Sequence, residues 1–207
     1  MAECDFHCLE EARTHPQASS TSRSASLPPK SRGSRSHPLP PPFAFPRVVH
    51  YDGSFSSVLQ VAAYGITIAD SHGQVYDGEA ETLFCSYMIQ AEAVALLNAV
   101  VLAAQVSCPT CVKSDCEVLA TALKKPPDLW PWQCRATLAR VIDILHYATW
   151  ITVEFTLRCF NGIAYWVAKS ARESCLPVDW ITIANLIEPL CNMFAHLGLD
   201  LENRFHL

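Results

Sequence analysis

The sequence predicts an α/β fold in which a five-stranded mixed sheet is flanked by helices. Three β-rich segments come first, and helical and strand patterns then alternate, which gives the order β-β-β-α-β-α-β-α. Half of the 207 residues are hydrophobic, which is enough for a core. Because helical crossovers connect the first, fourth and fifth strands, we expect these three strands to be parallel.

The first three strands are predicted by β-rich runs separated by turn residues. These runs are residues 48–52, 64–69 and 74–76. Gly53 and Ser54 are expected to end the first strand in a turn. The second run alternates apolar and polar residues, and a turn at 70–73 leads into the third, which is typical of an antiparallel meander.

The rest of the domain alternates helix and strand. The predicted helices are residues 86–105, a segment that ends near Tyr147, and residues 162–172, and the fourth and fifth strands are residues 111–115 and 151–158. Asn161 is expected to cap the last helix, since Asn is favoured at that position.

Three regions are predicted along the chain. Residues 1–46 contain eight of the fourteen prolines and a run rich in Ser and Arg, so they are expected to form a disordered tail. Residues 47–175 are the predicted globular domain. Residues 176–207 are predicted to be a helical extension packed on or beside it.

Charge and cysteine content restrict the function classes. The net charge is −5, and residues 47–207 have ten Lys and Arg against sixteen Asp and Glu, which argues against a broad electrostatic grip on nucleic acid. No apolar run reaches the roughly 18–20 residues of a membrane helix. The ten cysteines lie in apolar runs and the acidic amino terminus lacks a secretory pattern. We therefore expect reduced thiols and an intracellular location, in the nucleus or the cytoplasm.

Three acids are expected at one edge of the sheet. Asp52 follows the first strand, Asp115 follows the fourth, and Glu92 lies in the first half of the first helix. Adjacent parallel strands place their carboxyl ends at the same edge. Acids are unfavourable in a core unless they are paired or bind a cation, and Mg²⁺ prefers oxygen ligands. The pattern indicates a metal site for phosphoryl transfer.

Five segments in order carry a resemblance to a known family. They are YDGSF at 51–55, YGITIAD at 64–70, AEAVAL at 91–96, KSDCE at 113–117 and NGIAYWVAK at 161–169. Over about residues 48–200 the chain resembles the ribonuclease H-like domain found in plant proteins and at the end of plant non-LTR retroelement polyproteins, which are reverse transcriptase-like.

The resemblance implies a sheet of order 3-2-1-4-5 and a nuclease that hydrolyses RNA in RNA–DNA hybrids. It implies catalysis with Mg²⁺, or Mn²⁺ as a substitute, held by Asp52, Glu92 and Asp115. Contacts to nucleic acid are implied for Gly53, Ser54, Arg158, Asn161 and Lys169. The expected partner is an RNA–DNA hybrid or RNA, distinguished by its 2′-OH groups. Neither a membrane nor an obligate protein partner is expected.

Two positions depart from the family pattern. Phe155 stands where the family has a histidine, and Tyr165 stands where it has a fourth aspartate. Tyrosine is neutral at pH 7 and does not replace a carboxylate on Mg²⁺. The second ion is therefore expected to bind weakly and activity to be impaired. The alternative is an inactive domain that keeps the fold as a binding or interaction module.

Overall fold

The described part of the chain contains a five-stranded sheet, four helices within and after it, and a further helical segment near its end. A computed structural model describes residues 46–187. The strands are β1 (Arg47–Ser56), β2 (Val61–Ala69), β3 (Val75–Leu83), β4 (Thr110–Ser114) and β5 (Ile151–Phe155). The helices are α1 (Met88–Ala104), α2 (Glu117–Ala122), α3 (Arg135–Tyr147) and α4 (Gly162–Arg172). The single sheet has the order β3-β2-β1-β4-β5, which confirms the predicted fold class.

The pairing directions place β1 at the centre of the sheet. β1 pairs antiparallel with β2, and Asp52 lies opposite Gly65. On its other side β1 pairs parallel with β4, where His50 lies opposite Lys113. β4 in turn pairs parallel with β5. Because Asp52 and Asp115 each follow the last paired position by two residues, the register brings both acids to the same edge.

Two glycines on neighbouring strands allow helices to approach opposite faces of the sheet. A Cβ atom on Gly53 would lie 2.5 Å from the backbone nitrogen of Glu92 in α1. A Cβ atom on Gly65 would lie 2.5 Å from the backbone nitrogen of Ala168 in α4. Side chains alternate between faces along a strand, and directly paired residues share a face. Gly53 therefore faces α1, whereas Gly65 and its partner Asp52 face α4.

The larger core lies on the α1 face. Side chains from three strands pack there against α1 and α3; they include Val49, Tyr51, Ile66, Val112, Leu96, Val100, Leu138 and Val141. On the opposite face, Ala164, Val167 and Ala168 of α4 are buried. The helices thus cover both faces of β1.

Two predicted strand ends were wrong, and one short helix was not predicted. Gly53 and Ser54 do not form a turn, because β1 continues to Ser56; the glycine serves the close approach of α1 instead. β5 ends at Phe155 and not at residue 158, since Arg158 already begins a short 3₁₀ turn. The helix α2 was not predicted, because it is only six residues long and too short for a clear period.

Residues 180–187 are helical and contact β3. The side-chain amide of Asn185 accepts a hydrogen bond from the backbone nitrogen of Val75 at 2.8 Å and donates one to its carbonyl at 2.7 Å. Trp180 and Ile181 pack against Ala69, Val75 and Ala184. The predicted tail and most of the helical extension, residues 1–45 and 188–207, lie outside the described residues, so the domain boundaries stay predictions.

The structure also bears on the expected reduced thiols and on the expectation that no segment spans a membrane. The seven cysteines between residues 46 and 187 are all free. Within the same range, every helix is too short or too polar to cross a lipid bilayer. The intracellular location stays a prediction.

Replacing Gly65 with alanine should destabilise the domain. The added methyl group would press against the backbone of α4, and overpacking of this kind lowers the free energy of unfolding by about 1–3 kcal/mol. Urea denaturation measures the change. Thr82→Ala, at an exposed position of β3, is the control and should change stability by about 0.5 kcal/mol or less. Equal effects of the two substitutions would contradict this account of the close approach.

Candidate active site

Asp52 is buried in the middle of β1. Its residue exposure is 1%, and neither of its carboxylate oxygens has a hydrogen-bond partner among the described residues. Arg158 Nη1 lies 4.0 Å from Asp52 Oδ1. A buried carboxylate without hydrogen bonds is strongly unfavourable in its charged form. Asp52 therefore needs a proton or a cation.

Glu92 approaches Asp52 from α1. It is 8% exposed, and its Oε2 accepts a hydrogen bond from the Gly53 nitrogen at 3.2 Å. This bond ties the carboxylate to the residue that follows Asp52 in β1. The close approach at Gly53 thus places the second acid next to the first.

Asp115 lies in the turn that follows β4 and is held by two side chains. Arg158 Nη1 donates to its Oδ2 at 2.7 Å, and Asn161 Nδ2 donates to its Oδ1 at 2.7 Å. The turn itself is supported by Ser114, whose Oγ accepts a hydrogen bond from the Cys116 nitrogen at 3.1 Å. Because Arg158 reaches both Asp115 and Asp52, the structure brings the predicted acids of β1 and β4 together.

Asn161 connects the strands to α4. Its Nδ2 also donates to the Tyr51 carbonyl at 3.0 Å, and its Oδ1 lies 3.3 Å from His50 Nδ1. Asn161 precedes α4 as predicted, but its side chain makes no capping hydrogen bond. Its amide is used to fix Asp115 against β1 instead.

The mutual repulsion of the acids shifts their protonation. Burial and the charges of Glu92 and Asp115 raise the pKa of Asp52 to about 9, although Arg158 opposes the shift. Burial and the charge of Asp115 raise the pKa of Glu92 to about 8. Burial lowers the pKa of His50 to about 4, so this histidine is neutral at pH 7. Perturbed carboxyl groups at a sheet edge are typical of functional sites.

The two departures from the family pattern lie beside the acids. Phe155 ends β5 opposite Ser114 and is 44% exposed. Tyr165 lies on the first turn of α4, where its backbone nitrogen donates to the Asn161 carbonyl at 3.1 Å. The Arg158 guanidinium stacks over the Tyr165 ring, with Cζ 4.2 Å from the ring centroid. An aromatic ring that holds a cation thus occupies the predicted fourth-acid position.

Some of the residues predicted to contact nucleic acid are buried, and others are partly exposed. Gly53, Ser54 and Asn161 are buried, and the described bonds of Gly53 and Asn161 are to protein atoms. Gly53 and Asn161 therefore support the acids in this structure. The Arg158 side chain is 43% exposed and Lys169 is partly exposed. The contacts of all five residues to nucleic acid stay predictions.

The donor set suits one divalent cation better than two. Asp52 offers two buried oxygens without hydrogen bonds, and Glu92 lies beside it. Within residues 46–187, however, no three His, Cys, Asp or Glu side chains are already arranged as ligands of a metal ion. Both oxygens of Asp115 are bonded to Arg158 and Asn161, so Asp115 would have to exchange a partner to join. A second ion lacks a carboxylate at Tyr165.

Comparison with known proteins agrees with this geometry. A family model described as reverse transcriptase-like matches residues 50–171, which is more than half of the chain. The chain belongs to the reverse transcriptase-like family. All the residues of the site lie within the matched range. None of the curated proteins matches the sequence.

Solved structures show the same fold at low sequence identity. RNase H1 from Halobacterium salinarum is 19% identical with a TM-score of 0.53; the match covers 62% of this chain and 98% of that one. LC11-RNase H1, isolated from compost and solved with an RNA/DNA hybrid, is 17% identical with a TM-score of 0.53, covering 63% and 99%. The foamy viral protease–reverse transcriptase with an RNA/DNA hybrid is 15% identical with a TM-score of 0.53; the match covers 72% of this chain but 22% of that one. This family member therefore has a ribonuclease H-like fold.

Sequence reasoning missed His50 and the structural use of Arg158. His50 lies two positions before Asp52 in the sequence and pairs with Lys113 in the sheet. Nothing in the sequence indicated that its side chain contacts Asn161. Arg158 follows β5 and reaches the acids only because the 3₁₀ turn at Arg158–Phe160 redirects the chain. The sequence feature that could have indicated this role of Arg158 is its position as a basic residue between a strand and a helix that begins after Asn161.

The stability of the metal-free protein should fall as the pH rises from 6.5 to 9. The folded state holds protons on Asp52 and Glu92 that the unfolded chain has already released, so unfolding is favoured as these pKa values are passed. The slope is at most about 1.4 kcal/mol per pH unit for each carboxyl. His50 is neutral in the folded state across this window, and in the unfolded chain it releases its remaining proton near the start of the window, which opposes the trend only there. Thermal unfolding in EDTA measures the trend.

The control for the pH series is a pair of Asp-to-Asn variants. Asp52→Asn should flatten the slope, whereas Asp143→Asn, at an exposed position of α3, should leave it unchanged. If wild type and Asp52→Asn lose stability in parallel, the acid cluster does not cause the dependence.

Asn161→Ala should destabilise the domain by about 2–3 kcal/mol, because it leaves the Tyr51 carbonyl and Asp115 without buried donors. Chemical denaturation measures the change. Asn98→Ala, at a partly exposed position of α1, is the matched control and should shift stability by about 1 kcal/mol or less. A change at Asn161 no larger than at Asn98 would contradict the bridging role.

Proposed function

We propose that this protein is a divalent-cation-dependent nuclease of the ribonuclease H type that hydrolyses the RNA strand of RNA–DNA hybrids. The observation that carries the proposal is the carboxylate of Asp52, which is buried without a hydrogen-bond partner beside Glu92 and near Asp115. Three acids from β1, α1 and the end of β4 form a cluster that is unstable when fully charged unless a cation joins it.

Each residue of the cluster has a distinct task in this proposal. Asp52 and Glu92, with Asp115 once it exchanges a partner, would hold a divalent cation, Mg²⁺ or Mn²⁺ in its place, which would supply an activated water and stabilise charge on the phosphate. Gly53 fixes the orientation of Glu92 through its N–H group. Asn161 fixes Asp115 against the Tyr51 carbonyl. Arg158 and Lys169, which are partly exposed, contact phosphate groups.

The substrate class is supported by the fold and by its relatives. LC11-RNase H1 and the foamy viral enzyme were both solved with an RNA/DNA hybrid. Hybrid recognition rests on the 2′-OH groups of the RNA strand, which distinguish it from DNA. RNA alone is the second possible ligand.

A second candidate function is a binding module without turnover. Tyr165 and Phe155 replace two side chains of the family pattern, and the Arg158 guanidinium already pairs with Asp115. Such a domain would bind a hybrid through Arg158 and Lys169 and leave it intact.

Wild-type protein should cut the RNA strand of a labelled hybrid in Mg²⁺ or Mn²⁺ and not in EDTA. Asp52→Asn should lower the rate about 100-fold or more, because metal stabilisation contributes several kcal/mol and each 1.4 kcal/mol or so is tenfold. Gel analysis of the labelled strand measures the rate, and Asp143→Asn is the control that should cut as wild type does.

Two outcomes would favour the binding module. Folded wild-type protein that binds the hybrid in a filter or gel-shift assay but never cuts it would exclude the nuclease. Cutting that survives Asp52→Asn would show that the activity does not come from this site.

A further inference from the structure

Arg158 places a permanent cation inside the acid cluster. Its Nη1 lies 2.7 Å from Asp115 Oδ2 and 4.0 Å from Asp52 Oδ1. A guanidinium stays protonated throughout the physiological pH range. One of its sides is covered by the Tyr165 ring, yet the side chain remains 43% exposed. The site therefore already contains one positive charge in contact with an acid and open to solvent.

Tyr165 explains why that cation stays in place. Its ring face attracts a guanidinium through the ring quadrupole, and the 4.2 Å between Cζ and the ring centroid is within the range of such contacts. A carboxylate at this position would instead be a ligand for a metal ion. The aromatic residue and the arginine thus form one arrangement at the position where the family pattern has a carboxylate.

We propose that Arg158, held by Tyr165, is the second cation of this site, so that the protein takes one divalent ion and uses the partly exposed Arg158 side chain for the phosphodiester. The inference rests on the proposed function, since it assumes that Asp52 and Glu92 bind the single ion. It differs from the predicted weak two-ion site, because the second position is filled by a side chain.

The arrangement makes the divalent ion compete with Arg158. Asp115 uses one oxygen for Arg158 and the other for Asn161, so it becomes a metal ligand only by giving up a bond. Positive charge near Asp52 also opposes the arrival of a second positive charge. Removing the guanidinium charge should therefore strengthen metal binding, although it also removes the ion pair with Asp115.

The test is calorimetric titration of Mn²⁺ into wild type, Arg158→Gln and Arg158→Lys. Arg158→Gln should bind Mn²⁺ about tenfold more tightly, since the competing charge is gone. Arg158→Lys keeps the charge and should stay within about threefold of wild type. Arg140→Gln removes the same charge from an exposed position of α3 and is the control, with unchanged affinity. Unchanged Mn²⁺ affinity in Arg158→Gln overturns the inference.

Variants of Tyr165 test the same inference when Arg158 is intact. Tyr165→Phe keeps the ring and should leave Mn²⁺ affinity unchanged, whereas Tyr165→Leu removes the ring face and should tighten binding. Tyr165→Asp alone should still bind one Mn²⁺, because the new carboxylate pairs with Arg158. The double variant Tyr165→Asp with Arg158→Gln should bind two. A second ion bound by Tyr165→Asp alone would overturn the inference.

The outcomes separate this inference from the proposed function. If Arg158→Gln and wild type bind one Mn²⁺ equally, Asp52→Asn abolishes binding and wild type cuts the hybrid, the inference fails and the function stands. If Arg158→Gln binds more tightly but no variant cuts a hybrid, the inference stands and the nuclease fails. If no variant binds Mn²⁺, both fail.

Discussion

The balance of charge around Asp52 determines the organisation of the site. The side chain lies on the central strand, covered by α4 on its own face and approached by Glu92 from the α1 side, so water does not screen it. The charge of such a carboxylate can be neutralised by a proton, by a cationic side chain or by a metal ion. The raised pKa values of Asp52 and Glu92 favour their protonated forms, and Arg158 supplies a positive charge from the protein. A bound metal ion, as proposed, would complete the neutralisation because the acids still outnumber the arginine.

This balance depends on small residues as much as on charged ones. Gly53 and Gly65 lie on opposite faces of paired strands, and each contacts a helix backbone so closely that a Cβ atom would collide. A larger residue at Gly53 would move α1, and with it the Glu92 carboxylate, away from Asp52. A larger residue at Gly65 would move α4, and with it Asn161 and Tyr165. The geometry of the site is therefore set by backbone packing before any polar contact forms.

The sequence was sufficient to predict the sheet and the acids but not their partners. Strand order followed from the resemblance, and the parallel strands from the two helical crossovers, which are features of the whole chain. Gly53 was misinterpreted as a turn, because a glycine that permits close packing and one that permits a turn look identical in sequence. The directions of the Asn161 and Arg158 side chains depend on a single 3₁₀ turn. The hydrophobic periodicity of the sequence does not predict side-chain directions at such a turn. The support that Asn161 gives to Asp115 and to β1 was therefore not predicted.

Because the whole domain is acidic, a cation fixed at the site contributes more to the binding of a polyanion than its single charge suggests. Residues 47–207 have ten basic and sixteen acidic side chains, so the long-range field opposes the approach of a polyanion. Association must then come from contacts shorter than the Debye length, at the few places where positive charge faces solvent. Arg158 is such a place, and it lies over Tyr165 and against Asp115. A site that relied on two recruited ions would lose both its phosphate contact and its internal neutralisation when metal is scarce. If Arg158 is the second cation, as proposed, the acids would retain one counter-charge and the phosphate one donor under the same conditions.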